Sequence, residues 1–106
     1  IDLKSHTLNA NNKPNAIVIK NAEHVSVFNG CITNASSAAI SVNSSNSLSL
    51  YDLHFDNNRL NSISVSNSDY VDVKNSNFLG GNNCERAIIF DTSKNLSVIN
   101  CNAKEF

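Results

Sequence analysis

Apolar residues recur along the chain in short apolar-x-apolar units, and the units fall into two alternating series. One is Ile17/Ile19, Ile40/Val42, Ile63/Val65 and Ile88/Phe90. The other is Ile1/Leu3, Val25/Val27, Leu48/Leu50, Val71/Val73 and Leu96/Val98. Single apolar residues follow five positions later, at Leu8, Ile32, Phe55, Phe78 and Ala103. From Ile1 to Val25, Leu48, Val71 and Leu96 the steps are 24, 23, 23 and 25 residues, a regular internal repeat.

The polar residues between these units keep the same order. The spacer between first and second strands is always five residues, at 20–24, 43–47, 66–70 and 91–95. The corner after the second strand carries Ser5, Asn29, Asp52, Asn75 and Asn100. All length variation falls in segments 9–15, 33–38, 56–61 and 79–86. Two fixed corners and one elastic corner describe a three-sided coil. Each three-residue unit has period 2, so two side chains point inward and one outward. Alone it is too short to be stable. Stacked about 4.8 Å from its counterpart in the next coil, it gains a parallel ladder and a continuous core. Asparagine suits the tight corners because it tolerates the left-handed region and hydrogen-bonds locally. Nothing sustains a 3.6-residue period, and Asn, Ser and Val are weak helix formers, so helix is a poor alternative. The expected fold is all-β: a parallel β-solenoid of about 4.5 coils of 23–25 residues, with three short strands per coil.

Composition then removes whole classes of function. The chain has 106 residues, a net charge of −1 and 16% charged residues, so there is one domain, 1–106, and no basic field for nucleic acid. Twenty asparagines and sixteen serines make up about a third of it, yet low charge and evenly spread β-branched residues argue against disorder. No apolar run reaches the length of a membrane-spanning helix, so membrane insertion is not expected. With no methionine at its start, the chain is expected to be a processed product, an excised domain or part of a longer chain. Cys31, Cys84 and Cys101 form no C-x-x-C pair, and their odd number leaves at least one thiol unpaired within the chain. His6, His24 and His54 are not spaced as zinc partners for them, so neither metal nor cofactor is expected. The sequons at Asn34, Asn43 and Asn95 are what chance gives in so asparagine-rich a chain.

The units V-S-V-F-N-G-C-I at 25–32, L-S-L-Y-D-L-H-F at 48–55, V-D-V-K-N-S-N-F at 71–78 and L-S-V-I-N-C-N-A at 96–103 carry a family resemblance. With them, nearly the whole chain resembles the right-handed parallel β-helices of the pectin-lyase-like superfamily. The resemblance implies a right-handed, single-stranded parallel β-helix. It also implies that the corner at Asn29, Asp52, Asn75 and Asn100 is an asparagine ladder. It does not imply one activity, because that superfamily includes polysaccharide lyases and hydrolases, epimerases, tailspikes, adhesins and non-catalytic repeats.

Candidate chemistry is sparse. The polygalacturonase-like signatures N-T-D, D-D, G-H-G and R-I-K are absent, and the nine carboxylates are scattered over different columns. Asp2 and Asp72 share an outward column three coils apart, while Asp69 is expected beside Lys94 as a surface ion pair. No two-carboxylate site follows, and no catalytic residue is assigned. His54 and Asp56 are expected outward around inward Phe55 with Cys31 one coil below, a group that suits thiolate activation, a metal ion or, as the favoured reading, an ordinary polar surface. Lys4, Phe28, Tyr51, Lys74 and Ile99 form an outward column in which two aromatics stack below a cation, suited to a sugar, to a partner or to stiffening a corner. The longest elastic corner, 79–86, holds Gly80, Gly81, Cys84 and Arg86 and reads as a glycine-bearing insertion or a binding loop.

The expected function is a non-catalytic structural or binding β-solenoid segment of an exposed surface, fibre or virion protein. Phe28, Tyr51, Lys74, His54 and Asp56 are its candidate ligand or partner surface. Other subunits or flanking coils are expected at both open ends, with polysaccharide as a further partner and an extracellular, cell-surface or virion setting. The alternative is a fragment of a polysaccharide lyase, hydrolase or tailspike-type depolymerase whose catalytic coils lie elsewhere. A third reading is a carbohydrate-binding module using Phe28 and Tyr51.

Overall fold

The computed structural model describes residues 1–81 and 84–106. In chain order its strands are β1 (Thr7–Asn9), β2 (Ile17–Lys20), β3 (Ser26–Thr33), β4 (Ala38–Asn43), β5 (Asn46–Asp56) and β6 (Asn61–Ser66). They continue as β7 (Asp69–Lys74), β8 (Asn77–Leu79), β9 (Arg86–Asp91), β10 (Lys94–Ile99) and β11 (Asn102–Lys104). All strand pairs are parallel. One sheet runs β2-β4-β6-β9, and a second runs β1-β3-β5-β7-β10 with β8 and β11 continuing its third-strand part. The chain is a parallel β-solenoid of about four turns.

The repeat sets the register. Ile17, Ile40, Ile63 and Ile88 stack in one column, and Leu48, Val71 and Leu96 in another. Inside, Phe55 and Phe78 stack with ring centroids 4.9 Å apart and planes 1° from parallel, the separation that the ladder imposes. Val27, Ile32, Ile40, Leu50, Phe55 and Val73 are fully buried. In the last coil Val98 remains 48% exposed, because no further coil covers it in this structure.

Left-handed residues make the corners. Nineteen non-glycine residues among those described have positive φ, and ten of them are asparagine. Asn29, Asp52, Asn75 and Asn100 form one such column, with φ of 66°, 53°, 50° and 54°. In β3 and β5 the pairing skips only the bend residues Asn29 and Asp52 and resumes at Gly30 opposite Leu53, so the second and third strands join into one longer strand of 8 or 11 residues. The three short strands expected per coil are thus separate only where the corner interrupts the ladder, as between β7 and β8.

The first coil departs from the expected register. Asp2, not Lys4, lies opposite Phe28, and Ile1 is 60% exposed instead of stacking under Val25. Gly30 accounts for the shift. A Cβ there would fall 2.5 Å from the Leu3 Cβ, so the glycine leaves the space that Leu3 occupies. Left-handed turns at Lys4 and Ser5 then return the chain to register at Thr7 opposite Cys31. Asp72 consequently lies in the column of Ser26, Ser49 and Ser97, away from Asp2.

The corner asparagines are not a continuous ladder. Asn100 Nδ2 donates to Asn75 Oδ1 at 2.7 Å and Asn29 Nδ2 to Asp2 Oδ1 at 3.3 Å, but Asp52 interrupts the column. A carboxylate has no N–H to donate to the coil before it. Amide-to-amide bonds instead run through the elastic corner, from Asn57 to Asn34 and from Asn34 to Asn9. The buried polar column is serine. Ser45 and Ser68 are each 5% exposed, and Ser45, Ser68 and Ser93 each donate their hydroxyl to the carbonyl two residues back. The same hydroxyls accept the N–H of Ala22, Ser45 and Ser68 from the coil before, at 3.1–3.2 Å. A serine oxygen thus replaces the backbone acceptor that the left-handed turn has moved away.

Candidate functional site

Parallel registry builds the outward columns of the second sheet. Phe28 pairs with Tyr51 and Tyr51 with Lys74, and the two rings stack at 4.8 Å with planes 2° apart. This face-to-face arrangement follows from ladder spacing rather than from the offset geometry that free aromatic pairs favour. The stack therefore presents ring edges, the Tyr51 hydroxyl and the ring face toward the Lys74 level. Beside it lies a groove of about 240 Å³ lined by Ser49, Leu50, Tyr51, Asp72, Lys74 and Asn75. One aromatic face, one carboxylate, one ammonium, an amide and a hydroxyl converge there, which suits a hydroxyl-rich ligand more than a strongly charged one.

The other sequence candidates separate. Cys31 does lie opposite His54, and His54 is exposed while Phe55 is buried between it and Asp56. Burial raises the Cys31 thiol above its ordinary value, and the nearby Asp56 charge raises it further against a hydrogen bond from Thr7. A nucleophilic thiolate requires the opposite shift. His54 instead lines a groove of about 320 Å³ with Asn77, Phe78, Leu79, Asn102 and Lys104, and Asp56 is not part of its lining. Among the described residues no three His, Cys, Asp or Glu side chains gather as a metal site.

Asp69 and Lys94 are in register, as expected. The Asp69 carboxylate, however, accepts hydrogen bonds from Asn95 Nδ2 at 2.8 Å and from the Tyr70 N–H at 3.0 Å. In the longest elastic corner Gly80 donates its N–H to Lys104, while Cys84 is buried against Ser62 and the Leu60 and Arg86 carbonyls. Burial raises the Cys84 thiol as well. Asn82 and Asn83 of that corner lie outside the described residues. All three cysteines are free thiols.

A wider concavity, of about 670 Å³, was not anticipated. It follows the spacer corner, between the left-handed column Asn21, Ser44 and Asn67 and the wall containing Glu23, Asp69 and Lys94. Its sequence signal is the constant five-residue spacer, whose third position reads Ala22, Ser45, Ser68 and Ser93.

No protein-family model matches the chain, and no curated protein matches it. Among solved structures it is similar to the crystal structure of a "putative glycosyl hydrolase" from Parabacteroides merdae, with a TM-score of 0.66 and 21% identity. The match covers 81% of this chain, which spans 39% of the length of that protein. At this identity the likeness establishes the fold alone.

Proposed function

We propose that this chain is a structural and binding segment of an extracellular β-solenoid of the pectin-lyase-like kind. It contacts glycans through the outer face of the second sheet. The observation that carries this reading is the Phe28–Tyr51 stack beside the groove holding Asp72 and Lys74. The aromatic surface covers the C–H face or edge of a sugar, and the flanking polar groups hydrogen-bond its hydroxyls. Affinity electrophoresis of the chain through gels containing neutral or uronic-acid polysaccharides tests it. Retardation by at least one glycan, weakened at least tenfold in the folded Phe28→Ala/Tyr51→Ala variant, is expected. Unchanged retardation in that variant, or none from any glycan, overturns the reading.

The similarity to the Parabacteroides merdae protein favours a second reading, in which the segment belongs to a carbohydrate-degrading enzyme whose catalytic coils lie outside it. Release of reducing or unsaturated ends from glycans by the complete gene product supports that reading. Absence of release removes it.

A further inference from the structure

The two open faces of the solenoid differ in chemistry. In the serine column every N–H points toward the following coil and finds a hydroxyl there: Ala22 to Ser45, Ser45 to Ser68, Ser68 to Ser93. The column starts at Ala22, which has no hydroxyl to give a preceding coil. At the other end, the Ser93 N–H has no hydrogen-bond partner among the described residues, and the apolar residues of its coil are incompletely covered. Val98 is 48% exposed, and Ile88, Phe90 and Leu96 are only half-buried, whereas their counterparts Ile63, Val65, Val71 and Val73 are fully buried. The first coil is also incompletely covered, with Ile1 60% exposed and Leu3, Leu8 and Ile17 half-buried, so the serine column is what distinguishes the two faces.

We infer that the face formed by β9, β10 and β11 is a docking surface for one further coil of the same polypeptide, and that this coil carries a serine hydroxyl aligned with Ser93. The incoming coil continues an interface already repeated within the molecule. Its serine accepts the Ser93 N–H, and its apolar residues cover Ile88, Phe90, Leu96 and Val98. A second copy of this chain fits poorly. Its leading coil would set Ala22 against the Ser93 N–H, and its Ile1–Leu3 segment is out of register with Val25–Val27. The larger size of the structurally similar protein, of which this chain spans 39%, agrees with a solenoid of more coils.

The test extends the chain after Phe106 with a copy of residues 57–79, carrying either serine or alanine at the position copied from Ser68. Amide hydrogen exchange at Ser93 is the readout. The serine version is expected to slow this exchange at least tenfold relative to the unextended chain, and the alanine version to leave it within about threefold. Equal protection by both versions overturns the inference. So does concentration-dependent dimerisation of the unextended chain that protects Ser93, because a second copy is then the occupant. The unextended chain gives an independent measurement that does not depend on the added coil folding. Ser68 N–H exchange is expected to be at least tenfold slower than that of Ser93, and Ser93→Ala is expected to remove the difference. Equal rates in the unaltered chain contradict the inference.

Discussion

The spacer corner and the outer face of the second sheet are built from the same coils by the same ladder, yet they use polar groups in opposite ways. At the corner, Ser45 and Ser68 are buried and each hydroxyl both donates and accepts. On the outer face, Tyr51, Asp72 and Lys74 border an open groove. Stacking alone thus says little about role. Saturated hydrogen bonding in a buried column marks structure, and partly exposed, chemically mixed side chains mark a surface available to a ligand.

Substitutions sharpen that contrast. Phe55→Ala opens a cavity beside Phe78 in the fully buried core and is expected to cost about 3–5 kcal/mol, read as a lower urea midpoint. Ser68→Ala strands the Ser45 N–H, while the Ser66 carbonyl keeps the Ser44 N–H, and a cost of about 1–3 kcal/mol is expected. A serine corner as replaceable as an exposed serine would erase the distinction. Removing the outer stack with Phe28→Ala/Tyr51→Ala is expected to cost about 0.5–1.5 kcal/mol beyond the lost buried area while preserving the far-ultraviolet spectrum. Asn100→Ala loses one exposed amide bond to Asn75 and places alanine at a φ of 54°, and a cost of about 1 kcal/mol is expected in thermal melts.

Much of the architecture was legible because a coil repeat imposes the same demand many times. Inward Ile40, Ile63 and Ile88 had to coincide, and the fixed corners had to contain residues that tolerate positive φ. The first-coil register was not legible, since it depends on Leu3 filling space above Gly30 rather than on the spacing of apolar residues. Asparagine at the fixed corner suggested a ladder, but Asp52 interrupts it, and the buried hydrogen bonds are carried by small serines at the third spacer position, by Ser76 and by Asn58 of an elastic corner. The aromatic stack was predictable because neighbouring outward positions must align. The grooves beside it were not, because their walls depend on how each corner bends.

The division between a structural corner and a ligand-facing sheet is tested most directly by chemical-shift mapping. An isotope-labelled chain is titrated with an oligosaccharide that retards it in affinity gels. The prediction is saturable shifts at Phe28, Tyr51, Asp72, Lys74 and Asn75, with Ser45 and Ser68 unmoved. Shifts centred on the spacer groove from Asn21 to Lys94, or spread evenly over the surface, contradict it.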